Sequence, residues 1–109
     1  MMNNLRTEVN DLLLRLEWGQ PAFTIIDIRD RLTFNHGHIT GAIPICLDDL
    51  LERAKFSLHP NRDIVIYGDS ETDVATAINL LVYAGFKNVS ELVGGLSAWK
   101  AMGGATEGV

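Results

Sequence analysis

Six residues between a predicted strand and a predicted helix, 68–73, could do chemistry because of where they lie. At such a junction in an open α/β sheet, converging backbone N–H groups and the positive end of the helix dipole favour a bound anion or a thiolate. The residues are Gly68, Asp69, Ser70, Glu71, Thr72 and Asp73. Three are acids and none is cysteine, histidine, lysine or arginine. Their charge therefore opposes the anion that the architecture favours.

The same loop also has a purely structural interpretation. Ser70, Thr72 or Asp73 can cap the helix by accepting hydrogen bonds from its unpaired N–H groups. Negative side-chain charge near a helix N-terminus is favourable by itself. This interpretation predicts that side chains of the loop fill the place that an anion would otherwise take.

The single cysteine of the chain, Cys46, is a second candidate for chemistry. It follows the apolar run 42–45, in a different connection of the chain, with no glycine-rich loop around it and no basic residue before Arg53. Free cysteine is among the most buried residue types, so a structural thiol is the favoured interpretation. A catalytic Cys46 is the alternative.

Serine-hydrolase and metal sites are weaker candidates. Residues 68–70 are similar to part of a nucleophile elbow but lack its second glycine, and a serine nucleophile needs a histidine base. The histidines are His36, His38 and His59. His36 and His38 flank one glycine, without a partner cysteine or a helical His-x-x-x-His spacing. We expect no hydrolase chemistry, no metal and no cofactor.

Bulk properties restrict the class of protein and its partners. With 109 residues the chain can form one domain with its own core, so we expect a single domain over residues 1–109. A net charge of −5 without a cluster of lysines and arginines argues against nucleic-acid binding. No apolar run approaches the roughly 18 residues of a membrane span, and the N-terminus lacks a signal core. We therefore expect a cytoplasmic protein without membrane partners.

Hydrophobic periodicity predicts helices that alternate with strands. Strands are predicted at 22–30, 42–45, 64–67 and 88–95. Helices are predicted from a cap at Thr7 to a stop at Gly19 before a turn at 19–21, as one turn at 31–35, and over 46–56 with Asp48 as cap. Two more are predicted, one that follows the turn 68–73 and has Gly85 as its C′ residue, and one over 96–103 before a frayed tail at 104–109. Such alternation indicates a three-layer α/β/α domain with a parallel sheet of about five strands.

Two motifs resemble the signatures of the rhodanese-like domains. "IIDIRDRLTFNHGHITGAIPI" has the family's strand ending in Asp-x-Arg, then an aromatic residue, Gly-His-Ile, Gly-Ala and Ile-Pro. "LVGGLSAWKAMG" is similar to the closing signature. The matching residues are Asp27, Arg29, Phe34, Gly37, His38, Ile39, Gly41, Ala42 and Pro44 in the first motif, and Gly94, Gly95, Leu96, Trp99 and Gly103 in the second. The resemblance covers roughly residues 5–102 and implies a rhodanese-like fold, with structural roles for these residues.

The activity of that family implies a third motif, in which a cysteine follows the aromatic end of a strand. That cysteine accepts sulfane sulfur as a persulfide and passes it to a thiophilic acceptor, which requires a nucleophilic thiolate. When residues 64–75 are aligned on this motif, Gly68 takes the position of the cysteine. Asp69 stands where an arginine is common, and Asp73 takes another position that is often basic. The resemblance therefore implies a member that lacks the cysteine of the active loop.

Two functions remain open from the sequence. A catalytically inactive binding or regulatory module, alone or within a larger chain, would have no catalytic residue. It would bind an unidentified protein or small-molecule ligand at loop 68–73 or a nearby face, and the loop charge favours a cationic one. A sulfurtransferase that uses Cys46 is the alternative. The first predicts that loss of Cys46 changes only packing, and the second predicts that it abolishes turnover.

Overall fold

The computed structural model describes residues 6–17 and 23–108. In chain order the elements are β1 (Arg6–Thr7), α1 (Val9–Glu17), β2 (Phe23–Asp27), α2 (Arg31–His36), β3 (His38–Ile39), β4 (Ile43–Pro44), a 3-10 turn (Leu47–Asp49), α3 (Leu50–Ser57), β5 (Asp63–Tyr67), α4 (Glu71–Tyr83), β6 (Asn88–Leu92), α5 (Gly95–Ala101) and β7 (Thr106–Glu107). The predicted turn at 19–21 and the helix stop at Gly19 lie outside the described residues.

Five strands form one parallel sheet in the order β1-β6-β5-β2-β4. The central strands β2 and β5 pair along their whole length, from Phe23 opposite Asp63 to Asp27 opposite Tyr67. Because the strands are parallel, the loops that follow β2, β5 and β6 emerge at the same edge of the sheet. The predicted parallel sheet of about five strands is confirmed.

Helices cover both faces of this sheet. Successive residues of a strand point to opposite faces, and β5 shows this directly. Ile64 and Ile66 pack with α3 and α4, whereas Val65 and Tyr67 pack with α1, α2 and α5. Each large apolar side chain that is fully buried stabilises the fold by about 1.5–3 kcal/mol. The three-layer α/β/α prediction is confirmed.

At α4 the structure selects one of the three candidate caps and confirms the predicted C′ residue. The hydroxyl oxygen of Ser70 accepts a hydrogen bond from the Asp73 N–H at 3.0 Å, which makes Ser70 the N-cap. Gly85 follows the C-cap Ala84 with φ +100°, a conformation that glycine adopts without strain. In the described ranges no helix is both long and apolar enough to span a membrane.

Two predicted caps are wrong. Thr7 lies in β1, opposite Leu92, and its hydroxyl contacts that of Ser90, so tertiary pairing takes it out of the helix that begins at Val9. Asp48 lies inside the 3-10 turn. The N-cap of α3 is Asp49, which makes no capping side-chain bond there because it accepts from the Cys46 thiol instead.

The prediction of a frayed C-terminal tail is also wrong over the described part of that tail. Thr106 and Glu107 form β7, antiparallel to Ile39 and His38 of β3. The Ala105 carbonyl accepts from the indole N–H of Trp99 at 2.8 Å. A buried indole N–H requires such a partner, and the sequence pattern gave no sign that the tail supplies it.

Candidate functional site

A cavity of about 430 Å³ opens at the edge where β2, β5 and β6 end. Its walls are residues 67–71 with Val74, residues 91–97, and the side chains of Arg6 and Arg29. Open α/β sheets place their ligand sites in this position. The sequence analysis located loop 68–73 here, and the structure brings Gly68, Asp69, Ser70 and Glu71 of that loop to the cavity wall.

The remaining loop residues, Thr72 and Asp73, lie on the exposed first turn of α4, outside the cavity wall. The Asp73 N–H is bonded to Ser70, and the Val74 N–H donates to the Ser70 carbonyl at 3.1 Å. Ser70 thus satisfies two N–H groups at the start of α4. The capping interpretation of the loop is correct for Ser70.

Gly68 lies at the position aligned with the family's cysteine, and its surroundings leave little room for a side chain. A Cβ built there lies 2.8 Å from Cγ1 and 3.1 Å from Cδ1 of Ile28, and 3.4 Å from Cγ2 of Val74. Atoms in contact are normally about 3.5–4.0 Å apart, so Ile28 has to move before any side chain fits. An apolar side chain from the loop after β2 therefore crowds the Cβ position of residue 68.

A buried ion pair forms the floor beside Gly68. Asp27 is fully buried, and its carboxylate accepts from Nη2 of Arg29 at 2.7 Å and from Nε at 3.0 Å. The Arg29 Nη2 also donates to the Gly37 carbonyl at 2.6 Å. The bond to Asp27 raises the pKa of Arg29, and burial opposes this. Asp27 and Arg29 thus form a buried ion pair, in which the cation is held by the carboxylate two residues before it.

Tyr67 connects this ion pair to β3. Its hydroxyl oxygen accepts from the Ile39 N–H at 3.0 Å. Burial raises the pKa of Tyr67, and hydrogen bonding with Asp27 raises it further. The Arg29 guanidinium lies 5.5 Å from the centre of the tyrosine ring. Tyr67 thus remains a neutral phenol at physiological pH.

The net charge around the cavity is negative, because both arginines on its wall are paired with carboxylates. Arg29 is paired with Asp27, and Arg6 lies 3.7 Å from the carboxylate of Glu91. Asp69 and Glu71 are exposed acids on the cavity wall. The rim therefore repels small anions and attracts cations.

Sequence reasoning missed Arg6 and Glu91 as residues of the cavity wall. They come together because β1 pairs with β6, with Arg6 opposite Glu91. No local pattern in the sequence predicts this pairing, since residues 6–7 fall within a segment that reads as helix. A strand of two residues is too short to give a period-two signal.

The other candidates for chemistry lie away from the cavity wall. Cys46 is half-buried after β4, where its thiol donates to Asp49 at 3.3 Å. Nδ1 of His38 lies 2.8 Å from the Phe34 carbonyl oxygen, and Nδ1 of His59 accepts from the Asn61 N–H at 3.0 Å. His36 is exposed at the end of α2. Within the described ranges no three histidine, cysteine or acidic side chains form a group that could hold a metal ion.

The remaining signature residues have positions that explain their types. Gly41, Gly94, Gly95 and Gly103 have φ between +57° and +88°. A Cβ on Gly94 would lie only 2.5 Å from that of Ala98. Ala42 and Trp99 are buried in the core with α1, α2 and α5. These positions agree with structural roles for the signature residues.

Comparison with known proteins agrees with the fold. Residues 8–102 match the family model of the rhodanese-like domain. The thiosulfate sulfurtransferase GlpE of Shewanella oneidensis is 36% identical over 93 residues, which are 84% of this chain and 87% of the relative. GlpE of Haemophilus influenzae is 32% identical over 85 residues, 76% of this chain and 78% of the relative.

Solved structures extend the comparison. The crystal structure of the Alr3790 protein from Anabaena sp. has a TM-score of 0.92 at 54% identity and covers 94% of this chain and 92% of that chain. Thiosulfate sulfurtransferase from Pseudomonas aeruginosa has a TM-score of 0.85 at 25% identity, covering 96% of this chain and 20% of that chain. With its parallel sheet, its two signatures and these relatives, the chain belongs to the rhodanese-like domain family and is related to sulfurtransferases.

Proposed function

We propose that this domain is a catalytically inactive member of its family that acts as a binding or regulatory module through the cavity at loop 68–71. The observation that carries the proposal is Gly68. The residue that follows β5 has no thiol, and a Cβ there would lie 2.8 Å from Cγ1 of Ile28. No thiol lines the cavity among the described residues.

The electrostatics of the cavity support the same proposal. Sulfur transfer from thiosulfate begins when a thiolate attacks the outer sulfur, forming a persulfide and releasing sulfite. The carboxylates of Asp69 and Glu71 repel thiosulfate and sulfite, because all of these groups are negatively charged. The same carboxylates would raise the pKa of a nearby thiol and so disfavour its thiolate. The chemistry thus lacks both its nucleophile and a favourable field.

Sulfur transfer from thiosulfate to cyanide tests this proposal directly. The purified protein and its Cys46→Ser variant are assayed side by side for thiocyanate. We expect no turnover in either protein, because Cys46 lies outside the cavity wall and donates to Asp49. Turnover that disappears in Cys46→Ser would show that the domain is an enzyme with its nucleophile at Cys46, and would overturn the proposal.

The ligand of the module is proposed to carry a positive charge. The exposed carboxylates of Asp69 and Glu71 stand on the wall, next to backbone at Gly94 and Gly95 that a small group can approach. A guanidinium or ammonium group on a peptide or small molecule fits this combination. Exposed charge pairs contribute only about 0.2–1 kcal/mol each to the binding free energy. The carboxylates therefore affect which ligand binds more than how strongly it binds.

A blocked arginine peptide and its neutral citrulline counterpart test this preference by NMR titration. We expect the arginine peptide to shift the amides of residues 68–71 and 94–97, and Asp69→Asn to weaken its binding roughly two- to fivefold. Asp73→Asn is the matched control, since it removes the same charge from the same turn outside the cavity wall. Equal binding of both peptides, or equal effects of both variants, would contradict a cationic ligand.

A further inference from the structure

The C-terminal residues 103–108 fold back over the domain as a strap. Thr106 and Glu107 pair with Ile39 and His38. The Ala105 carbonyl accepts from the Thr40 N–H at 3.1 Å and from the Trp99 indole at 2.8 Å. The strap lies beyond residue 102, where the family model ends. The strap is held to β3 and α5 by these bonds.

The ring of His38 lies under this strap and contacts its carboxylate. Its Nδ1 lies 2.8 Å from the carbonyl oxygen of Phe34, and its Nε2 lies 3.3 Å from Oε1 of Glu107. A carbonyl and a carboxylate are both acceptors, and a neutral imidazole has only one N–H to offer. Only the doubly protonated imidazolium donates to both partners. The neutral ring leaves a lone pair facing either the carbonyl or the carboxylate.

The packing around His38 fixes the ring in this position. The imidazole stacks on the Phe34 ring, with centres 3.7 Å apart and planes 8° from parallel. Its side chain is about nine-tenths buried, whereas the Glu107 side chain is 57% exposed. When the ring loses a proton it cannot easily turn to another partner, so the half-exposed Glu107 is the group that is free to move away.

Other charged groups on the surrounding elements do not replace this contact. Arg31 and His36 lie on α2, with the Arg31 guanidinium 5.7 Å from the Phe34 ring centre, and Lys100 lies on α5. Arg29 reaches the neighbouring Gly37 carbonyl but is neutralised by Asp27, and the Tyr67 hydroxyl reaches the Ile39 N–H. Glu107 is the carboxylate that the structure places against the His38 ring.

We infer that the strap is a pH-sensitive latch, which closes on β3 when His38 is protonated and loosens when His38 becomes neutral. Histidine is the side chain whose charge ordinarily changes between pH 5 and 8. The stabilisation of the strap is thus present at the acidic end of this range and is lost as the pH rises.

The latch is also connected to the cavity. The segment 37–39 contacts both the cavity and the strap. The Gly37 carbonyl accepts from Arg29, and the Ile39 N–H donates to the Tyr67 hydroxyl. Between them, the His38 ring contacts Glu107 of the strap. Arg29 and Tyr67 both line the cavity. Release of the strap therefore removes the outer support of the segment that packs behind the cavity.

Hydrogen exchange of the Thr40 amide and the Trp99 indole measures the latch directly, because both N–H groups donate to the strap. Protection factors are determined at pH 5.5 and 8 after correction for intrinsic exchange, with the Phe86 amide as a distant reference. In the 109-residue protein we expect protection at the two strap reporters to fall roughly two- to fivefold at the higher pH.

Two variants decide the assignment. Glu107→Gln keeps the shape of the side chain but removes its charge, so strap protection should be low and nearly independent of pH. Glu52→Gln, an equivalent change on the exposed face of α3, should behave like the wild type. Equal strap protection at both pH values in the wild type, or the same pH response in Glu107→Gln, would overturn the inference.

Discussion

A Cβ on Gly68 lies 2.8 Å from Cγ1 of Ile28. Restoring the cysteine at this position therefore requires more than one substitution. The apolar side chain from the loop after β2 has to move, and the exposed acids on the cavity wall remain.

We predict that Gly68→Cys alone gives little sulfur transfer. Asp69 and Glu71 raise the pKa of the new thiol, which leaves less thiolate at neutral pH. The pH dependence of its alkylation by iodoacetamide measures this, and adding Asp69→Asn and Glu71→Gln should move the profile to lower pH. Rapid thiosulfate-to-cyanide turnover by the single variant would show that the acids matter much less than the geometry implies.

The Asp27–Arg29 pair makes the floor of the cavity sensitive to truncation. Asp27→Ala leaves the buried Arg29 guanidinium without its carboxylate, and breaking a buried pair from one side costs about 3–5 kcal/mol. Urea unfolding should show a loss of this size. Asp48→Ala, which removes an exposed carboxylate from the 3-10 turn, is the control and should change stability by no more than about 0.5 kcal/mol.

Tyr67 makes the domain sensitive to alkaline pH. Its pKa is raised in the folded state, so the unfolded chain releases this proton first, near pH 10, while the folded chain retains it. The contribution of Tyr67 to the free energy of unfolding is therefore complete below about pH 10. Above that pH it falls, by up to about 1.4 kcal/mol per pH unit. Between pH 9 and 11 the free energy of unfolding should fall less steeply for Tyr67→Phe than for the wild type. If it falls equally steeply in both proteins, groups other than Tyr67 cause the decline.

Because the strap packs closely on Trp99, we predict that substitution by alanine destabilises the protein at Gly104 but not at Gly37. A Cβ on Gly104 would lie 2.2 Å from the Trp99 ring, whereas a Cβ on Gly37 would meet nothing within 4 Å. Gly104→Ala should therefore lower the free energy of unfolding by about 1–3 kcal/mol, because the added methyl group overpacks the site. It should also change the Trp99 fluorescence. Gly37→Ala, with extended φ at 173°, should be neutral within about 0.5 kcal/mol. Similar losses in both variants would argue against a closed strap.

The sequence was sufficient for the layers of the fold and for the location of the site. Strands such as Ile64–Tyr67 are apolar on both faces, and the helix that follows has its cap at Ser70 and its C′ residue at Gly85. These are local signals, read within a few residues. The alignment of Gly68 with the missing cysteine relies on the same local pattern together with the family resemblance.

The contacts that sequence reasoning missed are all between distant segments. Arg6 reaches Glu91 only through the β1–β6 pairing, and Glu107 reaches His38 only through the β3–β7 pairing. Ile28 reaches Gly68 from the loop after β2. In each case the local sequence is compatible with another state, a helix start for Thr7 and a free tail for Glu107, and packing decides between them.

The position of β1 at the edge of the sheet also affects how the chain can fold. Thr7 contacts Ser90, 83 positions later in the chain. Closing so long a loop is entropically costly, and contacts of such high sequence separation slow folding. During synthesis the N-terminal strand emerges long before β6 exists to pair with it. We therefore expect β1 to dock late, after β2 and β5 have paired and nearly the whole domain has left the ribosome.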